Sequence, residues 1–173
     1  MTEVVVVPHD PNWRDLFADE SKLIAEALGQ NVVAINHIGS TSIPGIYAKP
    51  VIDILIDVTD IDEVDAKNLE MQSLGYEVMG EFGIEGRRYF RKENNAGVRT
   101  HHIHAFETGS PQIARHLAFR DYMIAHPDKA LAYSELKQTL AVRNARDPDG
   151  YMDGKDEFIK ETDRLAEQWR LVT

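Results

Sequence analysis

The sequence predicts an α/β (α+β) protein: a mixed sheet with flanking helices, followed by a helical C-terminal tail. Three observations carry that reading. Short runs rich in Val and Ile alternate with turn formers through the first two thirds of the chain, which is the pattern of strands. Trp13, Leu16, Phe17, Ile24 and Leu28 recur at helical spacing near the start. From Ser110-Pro111 onward strand signals give way to helix signals. At 173 residues and 43% apolar composition the chain is expected to form one domain over 1–173, with an α/β part at 1–109 and a helical tail at 110–173.

The elements follow in order. Thr2 to Val7, β-branched and closed by Pro8, reads as a leading strand. Asp10-Pro11 places an N-cap before a proline at the first helical position, and Gly29 ends that helix. Val32 to Ile38 and Pro50 to Val58 read as strands, the second so continuously apolar that burial of both faces is expected. Asp60 caps a helix running to Leu74, with Gly75 as its stop. Tyr76 to Met79, Arg87 to Lys92 and Val98 to Phe106 read as three further strands, the last two joined by Asn94-Asn95-Ala96-Gly97. In the tail Ser110 caps a helix that Pro127 breaks, and Asp128 caps the next. The loop Asp147-Pro148-Asp149-Gly150 then precedes a final helix with the apolar stripe Phe158, Thr162, Leu165 and Trp169.

Composition excludes several functions. Without cysteine there is no disulfide scaffold, thiolate metal site or cysteine nucleophile. The start has no basic region followed by a long apolar run, so a cytoplasmic protein is the expectation. A net charge of −10 argues against general binding to nucleic acid or anionic membrane, since both would be repelled. Within that acidic average, residues 81–120 hold seven basic and four acidic side chains, a local +3, together with four of the seven histidines. This island reads either as solvated strand charges or as a pocket for an anionic group.

The stretch from His37 to Ile54, containing Gly39-Ser40-Thr41-Ser42-Ile43-Pro44-Gly45 and Lys49-Pro50-Val51-Ile52-Asp53, is the most informative in the chain. A strand ending in Gly-Ser and returning to a strand that bears Asp suits phosphate chemistry. Gly39 lets backbone N–H groups approach phosphate oxygens, Ser40 and Thr41 add hydroxyls, Lys49 adds a cation, and Asp53 could hold a divalent metal bridging those oxygens. Strand alternation puts His102 and His104 on one face ~7 Å apart, so with Asp53 they form a candidate set for Mg²⁺, Mn²⁺ or Zn²⁺. Alternatively the two histidines are partly buried, hydrogen-bonded residues or phosphate contacts, with His104 a phosphate-binding candidate as Arg88 is. Arg88 is the candidate guanidinium for a phosphate, while Arg87, Tyr89 and Arg91 share the opposite face. His101 points away, His37 is expected to orient the loop, Ser110 reads as a cap, and His116 and Arg120 read either as surface salt-bridging residues or as anion contacts near the N-terminus of their helix.

These motifs, with Gly86-Arg87-Arg88-Tyr89-Phe90, Arg99-Thr100-His101-His102-Ile103-His104 and His116-Leu117-Ala118-Phe119-Arg120-Asp121-Tyr122, resemble the signature of the GrpB family. The resemblance runs to Lys155–Ile159. It implies a nucleotidyltransferase-like fold, with Asp53 and Ser40 as catalytic candidates. The chain departs from the nucleotidyltransferase pattern at the second carboxylate, because Val51 and Leu55 stand where it is expected and Asp57 is ~13 Å along the strand. Three functions follow as expectations: a transferase moving a nucleotidyl group with a divalent metal, a binder of a nucleotide or other phosphorylated small molecule, and a metal-dependent hydrolase using Asp53, His102 and His104. GrpB-like domains fused to dephospho-coenzyme A kinase point the same way by association.

Overall fold

A computed structural model describes residues 4–172. The chain divides into two compact units, a sheet unit of Pro11–Gly39 and Val51–Ala114, and a helical unit of 4–10, 40–50 and 115–172. One boundary between the units falls after Ala114. Residues 40–50 and the N-terminal residues up to Asp10 group with the helices, while Gly39 stays with the sheet.

The sheet unit begins with helix α1 (Asn12–Leu28), which has Pro11 at its capping position, so Asp10 lies one residue outside the cap. Strands β1 (Val32–Ile38) and β2 (Ile52–Val58) follow. The helix expected over 60–74 is interrupted at Ala66-Lys67 into α2 (Ile61–Asp65) and α3 (Asn68–Ser73). Asp60 caps α2 as expected, accepting from the Asp62 N–H. Asp65, a carboxylate at a helix C-terminus where the dipole disfavours it, is held by an arginine of the sheet. Strands β3 (Glu77–Val78), β4 (Arg88–Glu93) and β5 (Arg99–Glu107) complete a five-stranded sheet of order β1-β2-β5-β4-β3. The β2–β5 pair is parallel and the other pairs are antiparallel.

Register fixes what meets what. Asp53 lies opposite His102 on β5 and Ile38 on β1, and Tyr89 of β4 lies opposite His104. Alternation therefore puts Ile38, Asp53, Leu55, Tyr89, Arg91, His102, His104 and Phe106 on one face. The other face carries Ile52, Ile54, Ile56, Phe90, Ile103 and Ala105, all buried, together with His37, Arg88, Lys92 and His101. Helix α1 packs on this second face, with Phe17 stacked on His37 at 4.9 Å. Both faces of β2 are buried around Leu55 and its Ile neighbours, as the continuous apolar run requires.

In the helical unit, the expected leading strand reduces to a bridge between Val7 and Ala48, and residues 2–3 lie outside the described residues. Helix α4 (Pro111–Ala125) starts in the sheet unit and continues into this one. Helix α5 (Pro127–Arg143) takes His126 as its cap and Pro127 as its first residue, so Asp128 sits in the first turn instead of capping. Helix α6 (Pro148–Val172) starts within the expected loop, because Asp147 accepts from the Gly150 N–H and caps it. The stripe of α6 is used: Phe158 packs with Ile43, Ile46, Met123 and Tyr133, and Leu165 and Trp169 pack on Ala118 and Tyr122. A Cβ at Gly154 would collide with Leu140, so α5 and α6 come close there. No helix among the described residues is long and apolar enough to cross a membrane.

Candidate functional site

The parallel β2–β5 pairing brings Asp53, His102 and His104 to one point of the sheet unit. The Nδ1 of His102 and the Nε2 of His104 each lie 3.4 Å from the same oxygen, Oδ1 of Asp53. Burial alone would push the Asp53 carboxyl up, but the hydrogen bonds from His102 and His104, joined by their charge whenever the rings are protonated, outweigh it and hold the group well below the usual carboxylate range. Asp53 is therefore an anion that only accepts.

Gly39, at the end of β1, closes the other side of this carboxylate. Its φ is +74°, and a Cβ built there would lie 2.6 Å from Oδ2 of Asp53. The sequence motif assigns this glycine to close approach by a phosphate. The close approach in the structure is to Asp53, and a side chain is excluded both by the backbone conformation and by the space.

Arg87, just before β4, sets the tautomer of His104. Its NH1 donates to Nδ1 of His104 at 3.3 Å, its NH2 to the Phe82 carbonyl at 2.9 Å and its Nε to the Glu81 carbonyl at 3.2 Å. A guanidinium has no acceptor, so Nδ1 of His104 accepts and its proton resides on Nε2, directed at Asp53. His102 has the reverse arrangement. Its Nδ1 donates to Asp53, while its Nε2 is buried and has no hydrogen-bond partner. Tyr89 walls the cluster, with ring centroids 5.7 Å from His102 and 5.4 Å from His104, and Arg87 lies 4.7 Å over its ring. Phe82 stacks on Tyr89 and has a positive φ of 46° in the 80–87 loop, so the carbonyl that receives Arg87 is set by an unusual backbone turn.

The remaining predicted residues lie elsewhere. Arg88 is on the helix-covered face, where Nε and NH2 hold the two oxygens of Asp65 at 2.7 and 3.1 Å, so its guanidinium serves the fold. The reason is register: Arg88 pairs with Ala105, whereas Tyr89 pairs with His104. Ser40 and Thr41 form a single turn with Ser42 in the helical unit, where Thr41 is buried. Lys49, in the same unit, lies 5.5 Å from the ring centre of Tyr151. Asp57 shares the Asp53 face but accepts from Thr108 Oγ1 at 2.5 Å. Arg87 and Tyr89 are the residues sequence reasoning missed. Alternation grouped them on one face with Arg91, and only the register could show that this face carries the histidines.

The spacing suits a divalent ion in one respect, because donors on a tetrahedral site with ~2.1 Å bonds sit ~3.4 Å apart. The chemistry of His104 does not suit it as it stands: ligation through Nε2 needs the proton on Nδ1, and Arg87 puts a donor there. Among the described residues no group of three or more His, Cys, Asp or Glu is placed to hold a metal.

The sequence matches the family described as GrpB protein over residues 3–164. It is 44% identical over 168 residues to the UPF0157 protein YqkA of Bacillus subtilis, covering 97% of this chain and 48% of that protein, so the chain spans about half of that relative. The glutamate-rich protein GrpB of Alkalihalophilus pseudofirmus is 35% identical over 162 residues, covering 92% of this chain and 93% of that one. The crystal structure of the conserved protein GrpB from Enterococcus faecalis superposes with a TM-score of 0.90 at 41% identity, over 95% of this chain and 99% of that chain. Sequence and fold agree over nearly the whole length, and the chain belongs to the GrpB family.

Proposed function

We propose that the sheet face bearing Asp53, His102, His104 and Arg87 binds a phosphorylated small molecule, a nucleotide first among them, and offers His102 as the group that receives a ligand proton. One observation carries this reading: His102 is oriented by Asp53 through Nδ1 while its Nε2 is buried with no partner. A carboxylate that fixes the tautomer and leaves the far nitrogen as an acceptor is the arrangement of a general base. The acceptor needs a protic group, such as a ligand hydroxyl. Support for a phosphorylated ligand comes from the local excess of basic residues and from Arg87 beside the cluster. It also comes by association from a relative named dephospho-CoA kinase in Mycolicibacterium paratuberculosis, 25% identical over 96% of this chain and 46% of its own length.

A second reading is a divalent ion on Asp53, His102 and His104, which the 3.4 Å spacings favour and which requires Arg87 to release His104. Nucleotidyl transfer and metal-dependent hydrolysis both belong to this second reading. A thermal-shift series with the four ribonucleoside triphosphates and their diphosphates, without and with Mg²⁺, Mn²⁺ or Zn²⁺, separates the two. The first reading expects stabilisation by nucleotide without metal, lost in His102→Ala. Stabilisation by metal alone, lost in Asp53→Asn, favours the second, and pyrophosphate release with Mg²⁺ makes the protein a transferase.

A further inference from the structure

The 80–87 loop puts a phenylalanine where a side chain is least welcome. Phe82 is the only non-glycine residue among the described residues with a positive φ, at 46°, and the other positive-φ positions of its loop are Gly80, Gly83 and Gly86. A bulky side chain is strained in that region, and glycine is not. Burial does not offset the strain. Phe82 is 52% exposed, whereas the other five phenylalanines of the chain are buried or half-buried.

The ring lies at the edge of the sheet site. It stacks on Tyr89 at 5.3 Å with 26° between the planes, and the Arg91 guanidinium lies 5.5 Å from its centre. Tyr89 is in turn 5.7 Å from the ring of His102, whose Nε2 is buried without a partner. The exposed ring is thus one aromatic neighbour away from that acceptor. Its place is also fixed, because the Glu81 carboxylate accepts from the Gly86 N–H at 2.6 Å and the Phe82 carbonyl receives the Arg87 guanidinium that sets His104. Strain held in place beside a site points to a use for the side chain.

A half-exposed ring backed by a second ring offers a π-surface, and what suits that surface is another flat ring. Nucleobases stack on such surfaces whatever their hydrogen-bonding edges, because every base has a π-face. Sugar and phosphate groups are not planar and gain nothing comparable. Arg91 adds a cation that can share a π-face with the stack.

We propose that Phe82, backed by Tyr89, is the stacking platform for the base of the ligand, so that this site selects nucleotides over base-free phosphates. The inference rests on the reading that the Asp53–His102 face binds a phosphorylated small molecule, and it names the class of that molecule.

The test is titration calorimetry of the full chain, without metal, using the four ribonucleoside diphosphates, with ribose 5-phosphate and inorganic pyrophosphate as base-free controls. Wild type is expected to bind at least one nucleotide about tenfold or more tightly than either control. Phe82→Leu, which keeps apolar bulk and removes the π-face, should weaken that nucleotide by about tenfold or more, and Phe82→Tyr should retain it. In Phe82→Leu the His104 imidazole should keep its Nε2–H form by NMR, a readout that a merely structural role in holding Arg87 would move. If Phe82→Leu fails to fold by circular dichroism, Phe82→Gly, whose backbone suits the positive φ, is judged by the same criteria. The inference alone is overturned if Phe82→Leu binds the nucleotide as tightly as wild type, if a base-free control binds as tightly as the nucleotide, or if the loss comes with a changed His104 tautomer. Wild type that binds none of these phosphates overturns the underlying reading as well.

Discussion

The two faces of the sheet put charged residues to opposite uses. On the helix-covered face every charge named here is matched: Arg88 grips Asp65 through two nitrogens, and Lys92 meets Glu20 at 2.5 Å while Tyr76 donates to the same Glu20 oxygen at 2.7 Å. On the other face one carboxylate is shared by two imidazoles at 3.4 Å, an arginine fixes one tautomer, and the second imidazole keeps a buried nitrogen unpartnered. Matched charges rigidify a fold, whereas an unmatched buried acceptor leaves a position where a water or a ligand can be bound. Arg87 and Arg88 show the principle in adjacent residues, one turned to each face.

Breaking the matched face should cost the most stability. Glu20→Leu leaves Lys92 uncompensated and the buried Tyr76 hydroxyl without its acceptor, and is expected to destabilise the protein by about 3 kcal/mol in urea unfolding. A loss below about 1 kcal/mol would show that the pair contributes little. Gly39→Ala should cost about 1–3 kcal/mol through its positive φ, and it should also displace Asp53, so ligand binding falls with stability. Retained binding in that variant would detach Gly39 from the site.

Smaller effects sharpen the contrast. Arg88→Ala should lower stability by about 1 kcal/mol, since Asp65 is half exposed, and leave nucleotide affinity unchanged. Lost affinity with unchanged stability would return Arg88 to the ligand. Asp53 should act through pH. Its folded pKa lies below its unfolded value, so its contribution is present above about pH 4 and is lost as pH falls through the folded value. The stability difference between wild type and Asp53→Asn should therefore be constant at neutral pH and shrink in acid, as followed by thermal melts. A gap that widens in acid would mean that the carboxyl is not held ionised by the histidines. Lys137 has the other sign: its folded value near 7 lies below its unfolded value, so stability should rise as pH increases from about 7 to about 10. Lys137→Met should flatten that rise.

Much of this was legible in the sequence. Strands Val32–Ile38 and Ile52–Val58 follow their β-branched runs, and the convergence of His102 and His104 with Asp53 follows from alternation once β2 and β5 are neighbours. What was not legible depends on register and on distance along the chain. Arg87 and Arg88 are indistinguishable until β4 is set against β5, because a one-residue slip exchanges their faces. Nothing local marks Asp65 as the partner of Arg88, 23 residues away. Helix starts moved where a cap competed with a proline: Pro127 and Pro148 each occupy the first turn, and the cap falls to the preceding His126 or Asp147. Lys137 escaped notice because a lysine on a helix is ordinarily solvated, and its burial is a property of the packing of its unit.

The central claim is that Arg87 and Asp53 hold the two histidines in opposite tautomers so that His102 presents an acceptor to a ligand. Long-range ¹H–¹⁵N NMR of the imidazoles, recorded at neutral pH without and with a nucleoside diphosphate, tests it most directly. His104 is expected as the Nε2–H form and His102 as the Nδ1–H form, with a shift of His102 Nε2 on nucleotide addition that is absent in Asp53→Asn. An Nδ1–H form of His104, or a His102 Nε2 signal unmoved by any nucleotide that stabilises the protein, would contradict it.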